Sequence, residues 1–398
     1  MGNAGKYGQD AVLRARVLLL GSEEPSLRER LDAYRVLAEA SPRAYLPKLV
    51  DALVERAREF GDPEILRALY GEAAGAARRF DADVPDREER LCHALSRYEH
   101  ALFAVGRRAE GRAVCGESAE AGRYGRLAIV LAEEGRHGEA AELLGRHVAP
   151  GDADVSAWTL IEWAAELDAA GRHEAALGVF ARVVDDARRA AADDRAPLAS
   201  LVWKLEQYGR MLRAAGRPAE EAAVRRETLA LLARLAEGGE PVSWSNIQAT
   251  WVTLLALSGR PAEPAATPEA PLPAFGVHPV HGWSPDVREG WFASIPALEE
   301  QTDALRESGG LPELIATQRR LTVRRALRWE TSGRRAEESL RPSFDEGVDL
   351  ARRPAADPGT LARALTDRSM FLVAVKRYTE AYADFSEADA LRPIVTRT

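Results

Sequence analysis

Cysteine is nearly missing from this chain of 398 residues: Cys92 and Cys115 are the only two. Two thiols build neither a disulfide framework nor a four-cysteine zinc site. Long apolar runs are missing too. The longest uncharged one near the N-terminus is Val17–Gly21, far short of the roughly 20 residues a membrane span needs, and no signal-peptide cleavage region accompanies it. Nor is there an excess of positive charge. The 54 Lys and Arg against 62 Asp and Glu leave a formal charge of −8, whereas phosphate binding at physiological salt needs clustered cations. These absences argue against a secreted, membrane-embedded or nucleic-acid-binding protein and lead us to expect a cytoplasmic one.

The signatures of common catalytic sites are also lacking. There is no Gly-x-x-x-x-Gly-Lys-Ser/Thr and no Gly-x-Gly-x-x-Gly after a strand. His173-Glu174 continues as Ala175-Ala176-Leu177, so it is not His-Glu-x-x-His. Gly116-Glu117-Ser118 continues as Ala119-Glu120, so it is not a nucleophile elbow. No cofactor and no metal are expected. His93 and His100 share a helix face, but two turns separate their rings by about 10 Å. His278 and His281 have only Asp286 nearby. Asp185-Asp186 and Asp193-Asp194 bracket the neutralising pair Arg188-Arg189. The densest cationic stretch, Arg319-Arg320, Arg324-Arg325 and Arg328, has no aromatic stacking platform beside it.

What the chain does contain is repetition. Apolar residues make up 46% and charged residues 29%, enough to form a core. The length allows two or three domains of roughly 150 residues, or one array of repeats. A phrase recurs in which an apolar helical stretch is followed by Gly-Arg and then by a Glu/Ala-rich helical stretch. It reads Gly135-Arg136-His137-Gly138-Glu139-Ala140 and Gly171-Arg172-His173-Glu174-Ala175-Ala176. Looser copies begin at Gly106, Gly216, Gly259 and Gly333, one has Lys376-Arg377, and weaker ones centre on Gly21 and Gly61. Successive spacings are 40, 45, 29, 36, 45, 43, 74 and 43 residues. Glycine can end a helix in the left-handed conformation, and the following arginine faces the negative end of the helix dipole. Between turns the period is helical, as in Leu201, Leu205, Tyr208 and Leu212. No alternation marks a strand, so the fold is expected to be all-α. Seven of the 22 prolines fall within 261–285. We expect an insertion there that parts an N-terminal array (1–260) from a C-terminal one (291–398), with 261–290 as the linker. Its aromatic end, Phe275 to Trp283, is expected to pack on a neighbouring surface.

These units resemble the tetratricopeptide repeat, a pair of antiparallel helices. Leu372, Tyr378, Ala381, Phe385, Ala388 and Pro393 match the family's positions in the last unit. Trp163, Leu167, Ala176 and Phe180 match in the unit at 171, where Arg188 replaces the proline. Leu127, Leu131 and Ala140 match in the unit at 135. The units at 106, 216 and 333 depart by a longer turn that leaves Ala113, Ala222 and Ser339 late. The resemblance covers 10–258 and 311–393. Enrichment in Ala and Arg points to a GC-rich bacterial genome of actinobacterial kind.

The resemblance implies a right-handed superhelical α-solenoid whose first helices line a concave groove for a peptide or helix of a partner protein. Inner positions then lie about 13, 10, 6 and 3 residues before each turn. They are Trp158, Ile161, Ala165 and Asp168; Trp203, Glu206, Arg210 and Arg213; Asn246, Ala249, Thr253 and Ala256; and His93, Ser96, His100 and Phe103. Trp158 and Trp203 are either recognition residues beside Arg210 and Arg213 or core between repeats. The expected role is a non-enzymatic scaffold or adaptor. The alternatives are a sensor that binds a small molecule or signalling peptide to modulate a partner, and, third, an all-α enzyme.

Overall fold

The computed structural model describes residues 8–22, 24–120, 122–148, 155–242, 247–278, 282–330 and 336–392. Among them the chain is all-helical, with no strand. The repeated turn explains the architecture. Gly106, Gly135, Gly171 and Gly216 have φ of 73°, 77°, 76° and 68°. Each closes its helix in the same way: the glycine amide donates to the carbonyl three residues back and the next amide to the one five back. At the unit at 171 these bonds are Gly171 N to Asp168 O, 3.0 Å, and Arg172 N to Leu167 O, 2.8 Å. Lys376 takes the same conformation at φ 63°. The arginine after the turn pairs with a glutamate three residues on, as in Arg107–Glu110, Arg136–Glu139 and Arg217–Glu220.

The periodic phrase misses two such turns and over-reads others. Gly122 (φ 83°) and Asp194 (φ 52°) close helices identically. Asp193-Asp194 is therefore a helix end, and Asp185 and Asp186 are paired with Arg188 and Arg189. Gly21 is extended, and Gly61 is not left-handed. Gly259 (φ −85°) leads into a 3-10 turn, Arg260–Ala262, rather than a second helix. Pro261 stands where Pro218 opens the helix Pro218–Gly238, but Pro264 and Pro268 would fall in the interior of any helix continued from it. Gly333 lies outside the described residues.

The chain forms two compact units, one up to Leu127 with Ser284–Asp286, the other Ala128–Trp283 with the chain from Val287 onward. In the first, α1 (Gln9–Leu20), α2 (Leu27–Ala40), α3 (Pro42–Ala57), α4 (Pro63–Arg78), α5 (Arg87–Ala104) and α6 (Arg108–Glu120) pack in chain order. Ser26 and Glu29 form a capping box at α2, and Asp62 caps α4 ahead of Pro63. Leu31, Leu46, Leu53, Ala73 and Ala77 fill its core.

The second unit continues with α7 (Gly125–Glu133), α8 (His137–His147), α9 (Ala157–Ala169), α10 (His173–Ala192), α11 (Leu198–Ala214), α12 (Pro218–Gly238) and α13 (Ile247–Gly259). After the proline-rich stretch come α14 (Pro285–Ala293), α15 (Ile295–Ser308), α16 (Leu311–Glu330), α17 (Ala336–Ala351), α18 (Pro358–Ala374) and α19 (Tyr378–Ala390). Helices α8 to α12 pack in chain order, as do α15 to α19. The last pair then returns: α19 packs on α12, and α18 on both α11 and α13. Helix α13 is buried on all sides, with Trp251 to Leu257 consecutively buried, as expected of a helix apolar all round. Trp251, Phe344 and Phe371 form one aromatic cluster, with Phe344 stacked on Phe371 at 4.6 Å.

Candidate functional site

The face of α9 that carries Trp158, Ile161, Ala165 and Asp168 sits under the chain's own proline-rich segment. Arg260 reaches it first, donating from Nη1 to the Ala165 carbonyl (2.7 Å) and from Nη2 to Asp168 Oδ2 (2.6 Å). The other Asp168 oxygen meets His173 Nδ1 at 2.7 Å. Further along, the Leu272 amide donates to Glu133 O of α7 (2.9 Å). A β-carbon at Gly276 would stand 2.6 Å from Ala165 Cβ, so only glycine lets the segment lie this close. A β-carbon at Gly135 would collide with the Ala266 carbonyl oxygen. His278 closes the run edge-on against Trp158, with centroids 5.9 Å apart.

The two ends of this strap are anchored differently. Glu263 is held by Arg320 (3.2 Å) and Arg324 (3.1 Å) of α16. Phe275 and Trp283 are buried, and both stand edge-on to Trp291. The aromatic end thus packs as expected. Beneath the strap, between it and α9 to α11, a cavity of about 410 Å³ remains, lined by His137, Asp168, His173, Met211, Arg260 and Phe275 among others.

On α11 the expected inner residues face α18 instead of open space. Trp203 is 2% exposed, and its Nε1 donates to Met370 O (3.0 Å). Arg210 bridges Glu206 (2.9 Å) and Asp367 (2.7 Å), and Arg319 reaches the other oxygen of Asp367 (2.7 Å). Burial works against the Asp367 charge, yet Arg319 and Arg210 hold its carboxyl down at about 2. Burial also opposes the Arg210 charge, but Asp367 and Glu206 raise its pKa. Trp203, Glu206 and Arg210 are therefore core and not an exposed peptide contact. Arg213 lies partly open and pairs with Glu221.

The remaining candidates scatter. Thr253 is fully buried, and its Oγ1 has no hydrogen-bond partner among the described residues. It belongs to the centre of the unit, because α13 is enclosed. Asn246 and His281 lie outside the described residues. Trp158 keeps 38% of its surface exposed. In the first unit His93 and His100 are exposed on α5, while Phe103 below them is buried. The cationic run on α16 is committed to internal pairs: Arg319 to Asp367, Arg320 and Arg324 to Glu263, and Arg325 to Glu299. Among the described residues no group of three or more His, Cys, Asp or Glu is placed to hold a metal ion, and no helix is long and apolar enough to cross a membrane.

A second cavity, missed by the inner-face register, lies between α16, α17 and the start of α18. Its volume is about 260 Å³. Leu255, Leu311, Ile315, Val323 and Phe344 are its large apolar wall residues, Thr322, Ser343 and Thr360 bring hydroxyls, and Arg319, Asp357, Arg363 and Asp367 are the charged members. No local signal marks it, since its walls come from four helices and the 355–357 loop. No protein-family model matches the chain, and no curated protein is significantly similar to it.

Proposed function

We propose that this chain is a non-enzymatic helical-repeat binding protein of the tetratricopeptide kind, a scaffold or adaptor that takes an extended partner segment on the α7–α9 face of its second unit. On this reading the helix pairs follow a right-handed superhelix, parted into two arrays by the 261–290 segment, and the protein works in the cytoplasm. One observation carries the proposal: the positions that the repeat register assigns to the inner face of α9 each meet the chain's own proline-rich segment, supplied in cis. Such a face recognises a backbone amide at Glu133 O, a guanidinium at Asp168 and a small residue over Ala165. These are the features of a proline-containing, arginine-bearing peptide.

The strap occupies this face without filling it. A partner with a larger side chain near His173 and Met211 would exploit the remaining space and displace the strap. The test is a labelled peptide of residues 258–278 titrated into the full chain and into the variant Gly276→Val, in which the added methyls drive the strap off Ala165. The variant is expected to bind the peptide at least tenfold more tightly, with faster amide exchange over 262–277 and unchanged exchange in α9. Equal, negligible binding to both, with the strap demonstrably loosened, would refute it. A second reading, regulation by a small molecule, is favoured by the apolar cavity beside α18.

A further inference from the structure

The cavity between α16, α17 and α18 contains an imbalance of partners. Of its four charged wall groups, three are engaged. Asp367 takes Arg210 and Arg319. Arg319 also donates to Ser258 Oγ at 2.8 Å. Asp357 caps α18, accepting from Thr360 N (3.0 Å) and Thr360 Oγ1 (3.2 Å). Arg363 has no hydrogen bond or ion pair among the described residues. It lines the cavity and is exposed, so it stands where the cavity opens to solvent. A cation so placed gains from any anion brought to it.

The apolar part of the wall sets the ligand's other end. Leu311, Ile315, Val323 and Phe344 offer no hydrogen bonds to a polar body, and the hydroxyls of Thr322, Ser343 and Thr360 are engaged with Gln318 O, Arg325 and Asp357. At about 30 Å³ per water-sized group the space holds roughly eight or nine such groups, and replacing water there by hydrocarbon is favourable. We propose that this cavity binds a small monocarboxylic acid, its aliphatic or aryl body among these side chains and its carboxylate on Arg363. The inference rests on the regulatory reading of this cavity and is independent of the α7–α9 face.

Octanoate, octanamide and acetate serve as probes of the full chain by titration calorimetry. Octanoate is expected to bind at least fivefold more tightly than octanamide, and acetate not measurably. Arg363→Gln removes a side chain with no partner to orphan, and should weaken octanoate at least tenfold while leaving octanamide unchanged. Gly347 faces the cavity with open space at its Cβ position. Gly347→Leu should therefore plug the site and abolish binding of both probes without lowering Tm. Octanamide binding as well as octanoate, or R363Q binding octanoate normally, would overturn the proposal and leave the regulatory reading intact. Failure of both eight-carbon probes to bind the wild-type chain would overturn both.

Discussion

At the scale of the residue, Asp367 and the two tryptophans separate what holds the second unit together from what stands on its surface. Asp367 is buried between Arg210 and Arg319, so Asp367→Asn leaves two guanidinium groups short of charge in the interior. Breaking a buried pair in this way costs about 3–5 kcal/mol. The pH dependence has a definite sign. The folded pKa is near 2 against an ordinary 3.8, so this stabilisation is complete above about pH 4 and is lost as pH falls through about 2. Its size is about 2 kcal/mol. Urea unfolding followed from pH 6 to pH 2 should show this component in the wild type and lack it in Asp367→Asn. The tryptophans divide likewise. Trp203→Ala, at a buried indole bonded to Met370 O, should cost about 3–5 kcal/mol. Trp158→Ala, at an exposed one, should cost about 1 kcal/mol or less. Similar losses from both would show that Trp158 is also core.

At the scale of the element, the turns were the most legible feature, because a helix end is a local event. Glycine followed by arginine marks the left-handed residue and its successor at Gly106, Gly135, Gly171 and Gly216 without any knowledge of tertiary contacts. Gly122-Arg123 carried the same dipeptide and could have been found. Asp194-Arg195 carried it with aspartate, which tolerates this conformation better than most residues. Gly259-Arg260 shows the limit: the dipeptide is present and proline follows it as at Gly216-Arg217-Pro218, yet Gly259 stays right-handed, Arg260 turns to Asp168 and no hairpin forms. These turns can be compared energetically. At Gly171 an added β-carbon meets no atom within contact distance, so Gly171→Ala should cost only the backbone term, about 1–2 kcal/mol. Lys376→Gly should recover a similar amount, read as a rise in the denaturation midpoint. Gly135→Ala carries the same backbone term plus its collision with Ala266 O. It should destabilise more than Gly171→Ala and raise amide exchange across 264–272, which Gly171→Ala should leave unchanged. Equal effects from the two would mean that the strap yields freely to the methyl group.

At the scale of the whole molecule, the last helix pair returns onto α11, α12 and α13 within the second unit. The repeat pattern identifies elements and, on α9, the side chains of one face. It could not say what covers them, because Arg260–Asp168 and Arg210–Asp367 join residues 92 and 157 positions apart and leave no periodic trace. In an open array each pair contacts only its neighbours, and stability is a sum of nearest-neighbour terms. Removing the terminal pair then exposes only the pair before it. Here α18 supplies Asp367 to Arg210, Met370 O to Trp203 and Phe371 to Trp251, and α19 covers α12. Truncation after Arg353 should therefore do far more than strip α17. Amide protection at Leu201–Leu205 and Trp251–Leu255 should fall at least a hundredfold, although these segments lie some 100 to 150 residues before the cut. Protection within α9 should persist, since its partners α8 and α10 are untouched. If protection is lost in α17 alone, the contacts of α18 with α11 and α13 carry no stability, and the second unit behaves as an open stack in solution.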